Sequence, residues 1–349
     1  ATFYKTAETL LKGVKTLSRL YYTDNDIFKK ELDLFFEKGW ICSARSSDLK
    51  IPGQFFTKTI GDESIIILRD NQNDLKAFYN LCRHRGTQIC TKKSGHLSKS
   101  IQCRYHGWTY NLSGELIGAP HMEAVEGFQK NNYPLHKINV IEWQGFIFIN
   151  LNNSSPKLGI EFNILQKRIS NWDIDKLITY KNISYSVNCN WKLILQNYSE
   201  CYHCPLIHPE LAEKTPYTSG KNDMTSGAIL GGYMDLNSET ITNSGQLCGP
   251  ILPNIKQDDQ SRVYYYSIFP NMTISLHPDY VMFHQIFPIT INKSIIDCYW
   301  LFQNSDNINY DPMTAVNFWN KTNKQDWNIC EQSQRGIQSK KYLPGPYSG

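Results

Sequence analysis

Residues 24–40, DNDIFKKELDLFFEKGW, set Ile27, Phe28, Leu32, Phe35 and Phe36 among charges at helical spacing, with Asp24 or Asp26 placed to cap the helix. From Trp40 to Leu151 the pattern changes to short strands: WICSAR, GQFFTKTI, SIIILRD, LKAFYNL, IQCRYH, GWTYNL and WQGFIFINL. Gly61-Asp62, Asn71 to Asn73 and Ser113-Gly114 supply turn chemistry between them. Residues 41–152 therefore read as an all-β module following a helical segment within 1–40.

Residues 153–349 alternate between helices and strands. One amphipathic helix is expected over 157–172, and SYSVNCNWKLILQNYSECYH begins as a strand and becomes helical near Asn190. The segment 214–258, rich in Gly, Ser, Asn and Thr, reads as long loops around a site. Apolar and aromatic strands return in RVYYYSIF, MTISLH, YVMFHQIF and SIIDCYWLF, and Asp311-Pro312 then opens a helix through FWNKTNKQDWNICEQSQRGI. There is no internal repeat and no low-complexity segment.

Composition adds bounds. With 349 residues, 41% hydrophobic and 19% charged, the chain is an ordinary globular protein of a length that suits two domains. A net charge of +4 is too small to argue for nucleic acid. No apolar run is long enough for a membrane helix, and ATFYKTAETLLKGVKTL, mildly basic and amphipathic, lacks a signal peptide's apolar stretch. The ten cysteines follow no framework pattern, which favours reduced thiols or metal ligands and a cytoplasmic protein.

Chemistry concentrates in NLCRHRGTQICTKKSGHLSKSIQCRYHGW, residues 80–108. Its useful pairs are Cys82-x-His84 and Cys103-x-x-His106, each joining a thiolate to an imidazole. One tetrahedral zinc accepts two of each. A pair with one intervening residue chelates a single ion poorly, however, and suits two adjacent irons better, as in a Rieske centre with two Cys on one iron and two His on the other. CRHRG and CRYHGWTY resemble the two cluster loops of Rieske proteins, and the Gly after each pair lets the backbone approach the sulfides. Cys90 and His96 fall outside both pairs and read as structural. Arg83, Arg85, Lys92, Lys93, Lys99 and Arg104, with no acidic residue from Cys82 to Tyr110, make either a basic rim for an acidic redox partner or a solvated face.

A second constellation lies in NWKLILQNYSECYHCPLIHPEL. Glu200 and His203 are three apart, which places them on one helix face; Pro205 then ends or kinks the helix, so His208 can swing back towards His203. Two His and a carboxylate make the facial triad of a non-haem iron(II) site. This segment resembles the catalytic helix of Rieske non-haem iron oxygenases, alpha (large) subunit, and the resemblance covers nearly the whole chain. It implies an α+β fold, with an all-β Rieske [2Fe-2S] domain inserted in a catalytic domain whose antiparallel sheet is flanked by helices. It implies that His203, His208 and Asp326 ligate a mononuclear iron, that Cys82, His84, Cys103 and His106 hold the [2Fe-2S] cluster, and that Asn197 belongs to the iron's surroundings. It further implies that Glu200 links the two metal centres across a subunit boundary, by hydrogen bonding His106 of a neighbouring chain. Gln196 departs from the pattern, standing where many relatives carry Glu or Asp.

The resemblance implies iron(II)-dependent activation of dioxygen, with electrons supplied ultimately from NAD(P)H. No nucleotide-binding G-x-G-x-x-G turn is present, so a separate reductase, alone or with a ferredoxin, is the expected partner. NYSECYHC is closest in wording to the branch acting on choline, carnitine and glycine betaine. The expected reaction is hydroxylation or oxidative demethylation of a small quaternary ammonium compound, with Tyr264, Tyr265, Tyr266, Tyr280, Phe283, Tyr299 and Trp300 as candidate aromatic partners or core residues. Ring dioxygenation of an aromatic acid, a non-catalytic Rieske electron carrier and a zinc-stabilised interaction module are the alternatives. A head-to-tail homotrimer is expected, because the two metal sites of one chain should lie too far apart for fast transfer. The chain stops at PGPYSG, where relatives usually continue, which suggests a further C-terminal tail.

Overall fold

The computed structural model describes residues 15–152, 154, 157–304 and 309–347. Most of the mildly basic N-terminal stretch lies outside the described residues. The chain divides into two compact units: one runs Leu32–Lys157, and the other joins the described residues up to Glu31 to those from Leu158 onward.

The first elements are α1 (Leu20–Thr23), α2 (Asn25–Glu31) and a π-helical turn over Leu32–Glu37. The expected cap is Asp24, whose carboxylate accepts from the backbone of Asp26 and Ile27 at 2.9 and 3.0 Å.

Within the Leu32–Lys157 unit, β1 (Ile41–Arg45), β2 (Gln54–Ile60), β3 (Glu63–Arg69), β4 (Leu75–Tyr79) and β5 (Ser94–His96) precede a small antiparallel sheet of β6 (Ser100–Gln102), β7 (Thr109–Asn111) and β8 (Leu116–Gly118). β9 (Lys137–Trp143) and β10 (Phe146–Asn150) complete a seven-stranded sheet ordered β1-β10-β9-β4-β3-β2-β5. WQGFIFINL is thus a hairpin rather than one strand, because Gln144 and Gly145 both take positive φ (52° and 73°), the geometry of a tight two-residue turn. Ile65, Ile66, Ile67 and Leu68 are all fully buried, so β3 is covered on both faces.

The other unit continues with α3 (Ile160–Ile169), β11 (Ile178–Val187), α4 (Trp191–Tyr198), α5 (Cys204–Ile207) and α6 (Pro209–Lys214). It closes with β12 (Lys221–Met224), β13 (Ile229–Asp235), β14 (Arg262–Ile268), β15 (Met272–Leu276), β16 (Val281–Thr290), β17 (Lys293–Phe302) and α7 (Met313–Ile337). Its seven strands form one antiparallel sheet, β11-β17-β16-β15-β14-β13-β12. Part of the expected loop segment 214–258 is therefore sheet. Gly231 and Gly232 weaken the strand pattern of β13, yet a Cβ on them would lie 2.0 Å from the Tyr265 carbonyl oxygen and 1.8 Å from that of Lys221. Glycine is required there by close strand approach, not by a turn.

Two devices fix α4, one at its start and one to α2. Asn190 caps the helix, its side chain accepting from Lys192 N at 3.1 Å, a contact worth about 1 kcal/mol. Lys192 is fully buried and its ammonium sits 2.6 Å from Glu31 at the end of α2. The 25-residue α7 packs beside α4 and is tied to it by Gln334, which accepts from Asn190 N at 2.9 Å.

Candidate active site and cluster loops

The two Cys/His pairs occupy matching turns. Cys82 N donates to Thr87 O and Gly86 N to Cys82 O; Cys103 N donates to Trp108 O and Gly107 N to Cys103 O, all between 2.8 and 3.1 Å. Gly86 and Gly107 take φ of +72° and +71°, a conformation that side chains rarely adopt. Cys82 and Cys103 are buried, whereas His84 and His106 are exposed, their Nδ1 atoms facing each other at 3.1 Å. The Tyr110 hydroxyl lies 3.4 Å from Cys82 Sγ and accepts from Arg83 N at 3.0 Å, and Trp108 stacks on His84 at 4.9 Å.

Two buried sulfurs below and two exposed imidazoles above suit the division of a Rieske cluster. Cys90 and His96 do not join it: burial pushes the Cys90 thiol up to about 11, and the His96 ring donates to Pro52 O at 3.0 Å.

In the other unit, α4 ends at Tyr198, so Glu200 and His203 do not share a helix face as the spacing suggested. They lie in the turn before α5, and Pro205 sits in the first turn of α5 instead of breaking α4. Glu200 still reaches His203: its carboxylate accepts from His203 Nδ1 at 2.7 Å and from Tyr202 N. His208, at the start of α6, donates from Nδ1 to Gln325 Oε1 at 2.8 Å. Each imidazole is thereby oriented by its Nδ1 partner and presents Nε2 to Asp326, at 3.3 Å for His203 and 2.7 Å for His208.

Electrostatics agree with the geometry. Burial works to lower the His203 pKa, but hydrogen bonds to Asp326 and Glu200 outweigh it and hold it up to about 9. Burial alone would raise Asp326, and its bonds to the two histidines bring it below the ordinary carboxylate value. Three donors gathered within 4.8 Å, a carboxylate among them, fit a divalent iron whose charge would replace the shared protons. Asn197, the other expected neighbour, places its amide 3.5 Å from His203 Nε2. Gln196 points elsewhere, accepting from the Tyr22 hydroxyl at 2.9 Å.

A cavity of about 140 Å³ opens over the triad. Of the seven aromatics singled out on the strands, Tyr265 alone lines it; Tyr266, Tyr280 and Trp300 are fully buried in the core, and Phe283 stacks on Tyr299 at 4.6 Å. The lining aromatics missed in the sequence are Tyr198, Tyr233, Trp319 and Trp327. A signal for two of them was present: Trp319, Thr322, Asn323, Asp326 and Trp327 follow one face of α7. The thiol expectation also needs correction. Cys201 and Cys204 are joined in a disulfide across the His203 turn, because residues three apart at a helix start bring their Cα atoms to 5.0 Å, while the other eight cysteines are buried free thiols.

With this geometry in place, comparison with known proteins is informative. Residues 174–349 match the family described as ring hydroxylating alpha subunit (catalytic domain), and residues 39–129 match the Rieske [2Fe-2S] domain. The chain belongs to the ring-hydroxylating alpha-subunit family and is a Rieske non-haem iron oxygenase, whose cofactors are a [2Fe-2S] cluster and a mononuclear iron. Within that class it is similar to proteins described as oxygenase subunits of glycine betaine and carnitine monooxygenases. It is 27% identical to the glycine betaine monooxygenase oxygenase subunit of Pseudomonas aeruginosa, over 95% of this chain and 85% of that protein. It is 33% identical to the carnitine monooxygenase oxygenase subunit of Escherichia coli, over 57% of this chain and 53% of that one. Among solved structures, a quaternary ammonium Rieske monooxygenase described in connection with carnitine oxidation and inter-subunit electron transfer superposes with a TM-score of 0.85 at 26% identity, covering 95% of this chain and 88% of that chain. Naphthalene 1,2-dioxygenase from Rhodococcus shares the fold, with a TM-score of 0.76 at 18% identity, over 93% of this chain and 83% of that chain. Among the described residues no helix is long and apolar enough to cross a membrane.

Proposed function

We propose that this chain is the oxygenase subunit of a monooxygenase that hydroxylates or oxidatively demethylates a small quaternary ammonium compound, using dioxygen and electrons from a separate reductase. The observation that carries the substrate class is the cavity. Its volume of about 140 Å³ is close to that of a cavity that holds one benzene-sized molecule, so it suits a compact substrate. Tyr198, Tyr233, Tyr265, Trp319 and Trp327 line it, and burial raises the hydroxyl pKa of Tyr198 and Tyr265, so the aromatic lining stays neutral. Its carboxylates are Asp326 and Glu200, and its lysine is the exposed Lys221. Neutral aromatic rings favour a cation that cannot donate hydrogen bonds.

His203, His208 and Asp326 would hold the mononuclear iron, with Cys82, His84, Cys103 and His106 holding the cluster. When bound, the iron and the cluster would supply reductive activation of dioxygen. The chain's own residues orient the ligands and shape the space. Glu200 and Gln325 fix the two imidazoles, Asn197 offers an amide N–H beside His203, and the aromatic lining excludes water while positioning an N-methyl group.

The half-exposed Glu200 and the exposed His106 suit contact between neighbouring protomers of a cyclic homotrimer. A solution monomer with full turnover would refute that assembly. For the substrate, the test is oxygen consumption by the iron-loaded subunit with a reductase. Uptake should rise with glycine betaine, carnitine or choline, with formation of the hydroxylated or demethylated product. A response to benzoate-like acids and to none of the quaternary amines would refute the assignment.

A further inference from the structure

The turn between α4 and α5 carries Glu200 and His203: the anchored α4 stops at Tyr198, before both, and α5, which follows, has four residues, too few to hold its shape alone. Tyr202, inside the turn, faces solvent at 72% exposure and contributes no packing. The turn is closed by a backbone bond from Cys204 N to Cys201 O at 3.1 Å and, covalently, by the Cys201–Cys204 disulfide, which spans His203. A bond closing so short a loop adds little to global stability, because the entropic gain grows with loop length. Its effect is local.

We propose that the Cys201–Cys204 disulfide is a positioning element for His203, and that the thiol–disulfide state of this pair governs how tightly the mononuclear iron is held. The proposal rests on the reading of His203, His208 and Asp326 as iron ligands. With the ring closed, the backbone is tied on both sides of His203, and its Nε2 stays 3.3 Å from Asp326. With the ring open, the turn keeps only hydrogen bonds, those of Cys204 N to Cys201 O, of Ile207 N to His203 O and of Glu200 to Tyr202 N and His203 Nδ1, and His203 is held less firmly. Loss of a group that orients a metal ligand costs about 10–100-fold in metal affinity.

The pair is placed to respond. Both cysteines line the cavity, and Cys201 is half-buried, whereas Cys204 and the eight free cysteines are buried. Cys201 is thus the less buried partner of the pair, and the exchange is written from its side. A thiolate of an external dithiol bonds to Cys201 Sγ, the S–S bond breaks, and Cys204 leaves as a thiolate that takes up a proton. The reductant's second thiol then attacks the mixed disulfide, releases Cys201 as a thiol and departs as its own disulfide. Two electrons and two protons pass to the protein.

The test begins with the holoenzyme digested by trypsin without reductant and then alkylated. Residues 193–214 contain no internal Lys or Arg, so both cysteines should appear in one peptide, unalkylated and two hydrogens lighter than the dithiol form. Release of Fe(II) to a chelator should be about tenfold or more faster after dithiol treatment and should slow again on reoxidation. C201S should release iron quickly in either condition and show no response to the dithiol, with its Rieske absorption and circular dichroism unchanged. Free thiols at both positions in the isolated protein, or equal release rates before and after reduction, would overturn the proposal. Asp326→Asn separates the two readings. If it retains iron, the ligand assignment fails; if it loses iron while the disulfide state makes no difference, the positioning proposal alone falls.

Discussion

Replacing Lys192 by methionine keeps the length of the side chain and removes a buried ammonium. Lys192 is fully buried, its Nζ 2.6 Å from Glu31 Oε2, 5.2 Å over the Trp191 ring and 5.7 Å over that of Tyr22. Glu31 is 6% exposed and also accepts from Trp191 Nε1 at 3.1 Å. Burial pushes the Glu31 carboxyl up, and Lys192 is the main pull in the other direction. Lys192→Met therefore leaves a buried carboxylate that must stay unpaired or take a proton. Breaking a buried pair in this way costs about 3–5 kcal/mol, whereas replacing both partners with apolar or neutral groups is often close to neutral. Urea denaturation at pH 7 should show the single variant destabilised by about that amount, with Glu31→Gln/Lys192→Met recovering most of it. The deficit should also depend on pH. In Lys192→Met the folded Glu31 pKa lies further above its ordinary value of 4.5. Its protonated form is fully compatible with folding below 4.5, and stability is lost as pH rises through the folded pKa. The variant should thus approach the wild type near pH 4.5 and fall away towards neutrality. A cost below about 1 kcal/mol at pH 7, or one independent of pH, would refute this account of how α2 is anchored to α4.

Three further outcomes follow from the same geometry. Tyr110→Phe removes the hydroxyl 3.4 Å from Cys82 Sγ, and loss of about 1 kcal/mol of hydrogen bonding to the reduced cluster should lower its potential by about 40 mV in a redox titration. Gly232→Ala places a Cβ 1.8 Å from Lys221 O, so β12 must move; thermal melts should show lower stability, and substrate-stimulated oxygen uptake should fall because β12 and β13 wall the cavity. Metal-free His203, with its pKa raised to about 9, holds a proton that Fe(II) must displace. Apparent iron affinity measured by chelator competition should then rise about tenfold per pH unit from 7 towards 9 and level off above it; a flat profile would contradict the raised pKa.

Local pattern made much of this protein legible in advance. Alternation and turn residues marked most strands of the cluster-bearing unit, and the Cys/His pairs were visible as candidate ligands because residues on a tight turn are also close in sequence. His203 and His208 were visible for the same reason. Asp326 was found through family resemblance, since 118 residues separate it from His208 and only packing of α7 brings them to 2.7 Å. Other features depended on contacts that period and spacing do not encode. Helix α4 stops at Tyr198, before the acid and the first histidine, which moves Glu200 off a helix face without removing its contact with His203. Gln325 became visible as an imidazole partner once His208 and α7 met, and β13 was obscured because its glycines answer to neighbouring strands. The ligand types and their local spacing were thus determined by the sequence itself. Which aromatic rings reach the cavity, and which two of ten cysteines meet as a disulfide, were decided by the tertiary structure. Burial and approach distance belong to surfaces brought together by folding, and a linear pattern records only one side of each.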